Sequence, residues 1–347
     1  MGNLYINISP ATHILPCDDV NFTPIVVKQN EIFDRRQTTL DVDRFSSFRK
    51  FNIKEIVDHE SLTLVREFAL GDLIMLIPVA RNFKKQKNIK NLFIATSERF
   101  IKPLNTLFPD LKFLKLSTCE NKKHGLKIHL NGILECDHSL NNEQRNLHRV
   151  GIYGKFLDTK IDQLDWSSQM QTKGRLFIKP QENTIALQIR GSGYMKTLPY
   201  EFVQRMALSI AAKGFKVLLI DQDAGKGFEG KNIINACGKM SVVDIIENLK
   251  YCKCVLTMDS GVLWLAHVAS CPVITFLGST REHERLSLHP LYPAKAKSID
   301  LATHIGCTPC FETKARCKGT IDCMNKFNHD TILNEVHRNL DIILKGV

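Results

Sequence analysis

The stretch from Tyr251 to Glu282 constrains the fold more than any other part of the sequence. Its residues are YCKCVLTMDSGVLWLAHVASCPVITFLGSTRE. Val255–Thr257 and Val273–Leu277 are short apolar runs with the length of buried strands, and Val262–Ser270 between them is apolar at helical length. Cys271-Pro272 ends the predicted helix, because proline cannot continue one. This order predicts a βαβ unit with two parallel strands.

The turn Met258–Gly261 places polar residues where such a unit binds its ligand. It follows the first strand and precedes the helix. Backbone N–H groups and the helix dipole favour an anion at a helix N-terminus. In open α/β sheets, ligands bind outside the carboxyl ends of the strands. Asp259 or Ser260 can equally serve as a plain helix cap, and the local sequence leaves both interpretations open.

The length and the order of elements predict two α/β domains. A chain of 347 residues is long enough for two hydrophobic cores. Strands and helices alternate over residues 62–170 and again over residues 183–325, which is typical of doubly wound, Rossmann-like parallel sheets. Residues 166–183, rich in Ser, Gln, Gly, Lys and Pro, are the predicted linker. Residues 326–347 contain a predicted terminal helix with one apolar face.

Residues 1–61 are predicted to form a small β-rich appendage. Short apolar runs at Leu4–Ile8, Ile25–Val27 and Thr38–Val42 are separated by turn-forming residues. The segment 44–51 repeats phenylalanine at three-residue spacing among basic side chains, with aromatic members Phe45, Phe48 and Phe51. Its phenylalanines fit either packing on the next domain or a basic-aromatic contact surface for an acceptor or nucleic acid, and we favour packing.

Charge and cysteine content favour an anionic partner and a reducing compartment. The formal net charge of +11 suits nucleic acid, an acidic glycolipid or a phosphorylated donor without choosing among them. No apolar run approaches the ~20 residues of a membrane span. The first residues have no basic segment followed by an apolar core, so we expect neither a transmembrane segment nor a secretory signal. The 11 cysteines are odd in number, which argues against a disulfide scaffold.

Four cysteines lie close together near the C-terminus. Their spacing is C-x2-C-x6-C-x5-C, formed by Cys307, Cys310, Cys317 and Cys323. Four soft ligands at this density suit a tetrahedral zinc or iron site, whereas four exposed free thiols invite oxidation. The sequence therefore predicts a structural metal knuckle over residues 307–323, with free thiols on a surface loop as the alternative.

Three motifs in this order resemble those of a known family. They are FALGDLIMLIP (68–78), GSGYMKTLP (191–199) after a strand, and TMDSGVLWLAHVASCPVITFLGST (257–280). Together they resemble glycosyltransferase family 9, the ADP-heptose heptosyltransferase family, which includes the bacterial autotransporter heptosyltransferases. The resemblance covers about residues 62–345. The cysteine segment, with Met324 after Cys323, is similar to one seen in many members.

The resemblance implies a fold and an activity. The fold is GT-B, in which two Rossmann-like domains face each other across a cleft and the last helix packs back on the first domain. The activity is inverting transfer of a sugar, heptose as first guess, from a nucleotide-diphosphate sugar such as ADP-heptose to a hydroxyl of a glycan or protein, without a catalytic metal. Asp72 is the implied general base, and Lys196 is implied to neutralise the leaving diphosphate.

The resemblance also implies which residues bind the donor. By position they are Gly71, Gly191, Ser192, Gly193, Asp259, Ser260 and Gly261. The family histidine of the motif D-S-G-x-x-H is Trp264 here, and a tryptophan can neither accept a proton nor carry charge. His267 lies three residues further on, close to the same helical face, and is the predicted replacement in donor binding.

Two other functions stay open at this point. The charge of +11, the basic-aromatic segment 44–51 and the cysteine knuckle also suit a phage-type DNA glycosyltransferase that acts on a modified base. A non-catalytic protein that binds a nucleotide sugar or nucleic acid is the third hypothesis, and Asp72 and Lys196 argue against it. We expect a cytoplasmic protein of a bacterium or a phage-infected host. Its expected partners are a nucleotide sugar and an anionic acceptor, and the sequence does not indicate its oligomeric state.

Overall fold

The structure is a computed structural model that divides into two compact units, Met1–Met170 and Gln171–Val347. The division falls inside the predicted linker 166–183. The residues described are 4–7, 9, 11, 13–15, 25–28, 31–34, 42–44, 46–56, 59–67, 69–120, 125–134, 148–171, 173–188, 190–191, 196–222, 228–307 and 322–345. In these ranges, no helix combines the length and the apolar character needed to cross a membrane.

The first unit contains nine described strands and three α-helices. The strands are β1 (Leu4–Asn7), β2 (His13–Leu15), β3 (Ile25–Val27), β4 (Glu31–Asp34), β5 (Phe48–Phe51), β6 (Ser61–Val65), β7 (Asn91–Thr96), β8 (Lys112–Lys115) and β9 (Leu126–His129). The helices are α1 (Leu70–Gln86), α2 (Glu98–Leu107) and α3 (Arg149–Phe156). Seven strands form one sheet in the order β5-β1-β4-β9-β6-β7-β8, and β2 pairs with β3.

The parallel half of this sheet confirms the α/β prediction for the first domain. β6 pairs in parallel with β7 and β9, and β7 pairs in parallel with β8. Four of the five β6 residues are buried, as expected of a strand covered on both faces. Helix α1 begins at Leu70, and Pro78 lies in its interior.

The N-terminal strands extend the first sheet, which corrects the predicted appendage. β4 pairs in parallel with β9, and β1 pairs antiparallel with both β4 and β5. Residues 1–61 therefore contribute strands to the first unit's sheet. Phe48 is buried in a cluster with Tyr5 and Phe33, which favours packing as the role of this phenylalanine. Phe45 lies outside the described residues.

A buried ionic cluster joins β4 to β9. The Glu31 carboxylate accepts hydrogen bonds from Lys127 Nζ at 2.8 Å and from the backbone N–H of Lys28 at 2.8 Å. His129 Nε2 lies 2.9 Å from Glu31 Oε2. Burial alone raises the pKa of Glu31, but these hydrogen bonds and the adjacent imidazole outweigh burial and lower the pKa to about 2.

The second unit contains six strands and seven α-helices in its described part. The strands are β10 (Thr184–Gln188), β11 (Lys216–Ile220), β12 (Ile233–Asn235), β13 (Cys254–Met258), β14 (Val273–Leu277) and β15 (Ala296–Asp300). The helices are α4 (Tyr200–Ala212), α5 (Val242–Leu249), α6 (Gly261–Ala269), α7 (Glu282–Arg285), α8 (Leu301–His304), α9 (Asp322–Asn325) and α10 (His329–Lys345). The βαβ unit predicted at residues 255–277 is present as β13-α6-β14.

All neighbouring strands of the second sheet are parallel, in the order β12-β11-β10-β13-β14-β15. From β10 the chain builds the sheet in one direction through β11 and β12, and from β13 it builds in the other direction. The sheet therefore has its topological switch point between β10 and β13. In doubly wound sheets, the ligand crevice lies at this point, beside the carboxyl ends of the strands.

Helix α10 packs in the core of the second unit, and its packing on the first domain stays a prediction. Its buried apolar side chains belong to the same hydrophobic cluster as residues of β10, β13 and β14, and they are Ile332, Val336, Leu340 and Ile343. The apolar face that the sequence predicted for this helix is thus covered by its own unit.

Candidate functional site

The carboxyl ends of β10 and β13 are tied together at the switch point by Gln188. Ser260 donates a hydrogen bond from Oγ to Gln188 Oε1 at 2.6 Å, and the Thr257 hydroxyl donates to the same oxygen. Gln188 Nε2 donates to the backbone carbonyl of Arg190 at 2.7 Å. Ser260 Oγ also accepts the N–H of Val262 at 3.2 Å, so Ser260 is the N-cap of α6.

Asp259 is the centre of a charged cluster beside this cap. It is 4% exposed, and its Oδ1 accepts a hydrogen bond from Arg285 Nε at 2.7 Å. Its Oδ2 accepts from Thr280 Oγ1 at 3.1 Å and lies 3.7 Å from Lys196 Nζ. Two cationic side chains therefore flank one carboxylate at the N-terminal end of α6.

Backbone contacts with the residues that follow β10 hold Lys196 in place. Gly191 donates its N–H to the Lys196 carbonyl at 2.8 Å, and Arg190 and Thr197 form an antiparallel bridge. A Cβ atom on Gly191 would lie 2.4 Å from that carbonyl oxygen, so a larger residue cannot take its place without moving the backbone. Ser192 and Gly193, the other predicted residues of this segment, lie outside the described part.

His267 does not have the position that the sequence analysis gave it. The side chain is fully buried, with Nδ1 2.9 Å from the carbonyl oxygen of Leu263 and Nε2 3.1 Å from that of Arg285. Burial lowers the pKa of His267 to about 4, so the imidazole is neutral at pH 7. Trp264 packs against it, with ring centroids 4.8 Å apart. His267 thus braces the backbone at Arg285 and presents no exposed surface to a donor.

The first unit carries Asp72 at the corresponding end of its own sheet. Asp72 lies in the first turn of α1, directly after β6, and Gly71 precedes it in the same turn. Arg66, which follows β6, forms an ion pair with Asp72 Oδ2 and donates from Nη1 to the carbonyl oxygen of Leu130 at 3.2 Å. The residue before the helix, Ala69, has a φ of 64°, an uncommon value for a non-glycine residue.

Sequence reasoning missed three of these side chains. Arg66 contacts Asp72 six residues further along the chain. Thr280 and Arg285 lie 21 and 26 residues from Asp259, and the packing of β14 beside β13 brings them to it. A signal was present in the segment GSTREHER, which follows β14 and is dense in polar residues. Since β14 is the neighbour of β13, its carboxyl end borders the same edge of the sheet.

The four-cysteine site stays a prediction. Cys310 and Cys317 lie outside the described residues, while Cys307 is exposed and Cys323 is buried at 5% exposure. A Cβ atom on Gly278 would lie 3.1 Å from Cys323 Sγ. Cys323 therefore packs against the segment after β14 that carries Thr280. In the described stretches no three metal-ligating side chains come together.

The comparisons with known proteins agree on the fold. The model of glycosyltransferase family 9 (heptosyltransferase) matches residues 217–321. The structure is similar to the iron-containing dodecameric glycosyltransferase TibC from enterotoxigenic Escherichia coli, with 15% identity and a TM-score of 0.59 over 98% of this chain and 92% of that one. No curated protein matches the sequence significantly.

Two further solved structures give the same result over a shorter part of the chain. A family 9 glycosyltransferase from Veillonella parvula matches with 14% identity and a TM-score of 0.59, over 84% of this chain and 99% of that one. The ADP-heptose lipopolysaccharide heptosyltransferase II of E. coli matches with 13% identity and a TM-score of 0.58, over 81% and 98%. Residues 217–321 of the second unit thus match the model of glycosyltransferase family 9, and the resemblance read from the motifs is confirmed.

Proposed function

We propose that the protein is an inverting glycosyltransferase that transfers a sugar from a nucleotide-diphosphate sugar to an acceptor hydroxyl. The observation that carries this proposal is the position of Lys196 beside Asp259 and the N-terminus of α6, at the switch point of the sheet. The segment with α6 lies inside the range matched by the family model. ADP-heptose is the first donor to test, because TibC was crystallised with ADP-D-β-D-heptose.

The residues that we propose for the site would serve both halves of the reaction. When the bond between the sugar and the diphosphate breaks, negative charge grows on the leaving diphosphate. The Lys196 ammonium and the backbone N–H groups at the start of α6 stabilise that charge. Asp72 accepts the proton of the acceptor hydroxyl as that oxygen bonds to the sugar. Arg66 contacts Oδ2 of Asp72, and we assign Oδ1 to the acceptor.

A panel of nucleotide sugars tests the proposal. We expect ADP-heptose to raise the unfolding temperature, since a ligand at 100 times its Kd stabilises the native state by about 2.7 kcal/mol. UDP- and GDP-sugars serve as specificity controls. Lys196→Met is expected to lower kcat by about 10²–10³-fold, as loss of one charge-stabilising group does, and Lys196→Arg to recover part of it. A panel in which no nucleotide sugar binds contradicts the proposal.

The acceptor we propose is a glycan or a protein. The net charge of +11 keeps DNA as the competing acceptor, because basic proteins bind phosphate backbones with a strong dependence on salt. Titration of duplex DNA at two salt concentrations separates these possibilities. Salt-sensitive binding together with sugar transfer to DNA favours the DNA acceptor, and transfer to a glycan or peptide without DNA binding favours ours.

We propose iron as the first metal to test at the cysteine knuckle, since TibC is described as iron-containing. Four thiolates fit iron or zinc equally in chemical terms. Cys307, Cys310, Cys317 and Cys323 are the proposed ligands, and the metal's role is structural. Elemental analysis of the purified protein and of Cys310→Ser and Cys317→Ser tests this. About one metal ion per chain in the wild type and none in the variants is the expected result.

A further inference from the structure

We propose that Arg285 is the positioning residue of the donor site. Its positive charge balances the negative charge of the Asp259 carboxylate. Lys196 can therefore leave this carboxylate and bind the donor diphosphate. The inference rests on the proposed function, because it concerns the same site.

A buried carboxylate at this place is otherwise unfavourable for the donor. Ionised Asp259 has no proton to donate and carries the same sign of charge as a diphosphate. It is only 4% exposed, so water screens its charge poorly. Without a fixed cation, Asp259 would repel the donor or retain Lys196 for itself. A site for an anion therefore needs a second positive group that stays with Asp259 when the donor binds.

Arg285 and Lys196 differ in how firmly they are bound to Asp259, as expected if Arg285 stays with the carboxylate and Lys196 moves to the donor. Arg285 is 2% exposed and donates to Oδ1 at 2.7 Å, which is a charged hydrogen bond of ordinary length. The Lys196 side chain is 16% exposed, and its Nζ lies 3.7 Å from Oδ2, beyond hydrogen-bond distance. Lysine is also the more flexible point charge, whereas arginine has a planar, rigid head group. Arg285 is thus the permanent partner and Lys196 the exchangeable one.

The backbone of Arg285 is anchored to the helix whose N-terminus binds the anion. His267 on α6 lies with Nε2 3.1 Å from the Arg285 carbonyl oxygen. On the other side of the carboxylate, Thr280 Oγ1 donates to Oδ2 of Asp259. The carboxylate, its arginine and the first turn of α6 therefore form one connected group. Lys196 follows β10 and so lies outside the continuous β13-α6-β14-α7 stretch that carries Asp259, Thr280 and Arg285.

Binding of inorganic pyrophosphate to the full-length chain, measured by calorimetry, tests the inference. Pyrophosphate carries the diphosphate chemistry common to all nucleotide-sugar donors. We expect Arg285→Met to weaken binding by about tenfold or more, because Asp259 then retains Lys196. Arg285→Lys is expected to restore part of the affinity. Arg205→Met, which removes an exposed arginine paired with Asp330, is the matched control and is expected to bind like the wild type.

The double variant Arg285→Met/Asp259→Asn gives the sharpest result. If Arg285 acts through the carboxylate, removal of the carboxylate's charge must relieve the defect, so the double variant binds pyrophosphate more tightly than Arg285→Met. A double variant no better than Arg285→Met overturns the inference, as does an Arg285→Met protein that binds like the wild type. If Arg285→Met does not fold, Asp259→Asn decides alone. Binding at least as tight as in the wild type supports the inference, and weaker binding overturns it.

The same series separates this inference from the proposed function. A wild-type protein that binds neither pyrophosphate nor ADP has no donor site, and then the proposed function fails. A wild-type protein that binds both, with an unaffected Arg285→Met variant, keeps the proposed function and removes Arg285 from it. If Arg285 acts by releasing Lys196, Arg285→Met is expected to raise the KM for ADP-heptose more than it lowers kcat in turnover assays.

Discussion

The ion pair between Arg66 and Asp72 gives the candidate base a fixed orientation. The Arg66 side chain is 5% exposed and is itself held by the carbonyl of Leu130. We expect Asp72→Asn to lower kcat by about 10²–10⁴-fold, because an amide cannot accept the acceptor's proton. Arg66→Met is expected to lower kcat with little change in the KM of the donor. Steady-state rates with ADP-heptose measure both effects.

An aspartate in a different ion pair of the same unit is the control for this experiment. Asp110 binds Arg81 through both carboxylate oxygens, at 2.7 and 2.8 Å, and has no part in the proposed reaction. Asp110→Asn is expected to keep the wild-type kcat. An Asp72→Asn variant as active as the Asp110→Asn variant contradicts the assignment of Asp72 as the base.

At the residue scale, the sequence predicts the members of the site that lie in contiguous motifs. Asp259 and Ser260 follow a strand and begin a helix, and this local pattern is visible without a structure. Arg285 is 26 residues away from Asp259, and its contact depends on the packing of β14 beside β13. His267 was misplaced because α6 is buried along most of its length, so a side chain beyond its first turn faces the core and not a ligand.

Backbone contacts of Arg190 and Gly191 with Lys196 and Thr197 set the position of Lys196. A methyl group on Gly191 meets the Lys196 carbonyl oxygen at 2.4 Å, so the backbone bridge must open to admit it. We expect Gly191→Ala to raise the KM for the donor by about tenfold with a smaller effect on stability. Gly230→Ala is the control, since the nearest atoms to its added methyl group are side-chain atoms of Ile233 and Leu208, at 3.3 Å or more. Equal KM values for the two variants contradict this role.

The ionic cluster around Glu31 joins β4 to β9 and so holds the N-terminal strands on the first sheet. Because Lys127 and His129 would lose a buried charged partner, Glu31→Gln is expected to lower the free energy of unfolding of the first unit by about 2–4 kcal/mol. Urea titration followed by the fluorescence of Trp166 measures the effect. Glu60→Gln breaks an exposed pair with Lys90 and is expected to leave the urea midpoint unchanged.

The incorrect prediction of an appendage has a physical cause at the element scale. Hydrophobic alternation shows that a segment is a strand, but it does not show which strand pairs with it. Glu31 pairs with Lys127, 96 positions away, across the whole of the β6-α1-β7-α2-β8 segment. Short strands such as β12, with three residues, have too little periodicity to stand out from the surrounding loops.

At the scale of the whole molecule, the sequence predicted the two α/β units and the division between them. It could do so because parallel strands are buried on both faces and therefore appear as apolar runs separated by helices. The strand order β12-β11-β10-β13-β14-β15, which places β10 beside β13, is decided by packing. That order brings Lys196 and the Asp259 turn together, so the site depends on tertiary structure although its residues lie in recognisable motifs.

The two units are expected to lose stability in different pH ranges. In the second unit, burial lowers the pKa of His267 from 6.5 to about 4, and burial also lowers that of His289. Between pH 6.5 and about 4, unfolded His267 binds a proton that the folded state does not, so stability falls by up to about 3 kcal/mol as pH decreases. In the first unit, the pKa of Glu31 is lowered from 4.5 to about 2. The stability that ionised Glu31 gives to this unit therefore begins to fall only when the pH decreases to about 4.5.

The two tryptophans allow the units to be followed separately. Trp166 lies in the first unit and Trp264 in the second, and both are buried. Urea midpoints are measured from pH 7 to 3.5 for Trp264→Phe, which reports on the first unit, and for Trp166→Phe, which reports on the second. We expect the second unit's midpoint to decrease below pH 6.5 and the first unit's to hold until about pH 4.5. Since His267→Gln removes one titrating group, it should flatten the second unit's decrease, and coincident decreases in both units would contradict the argument.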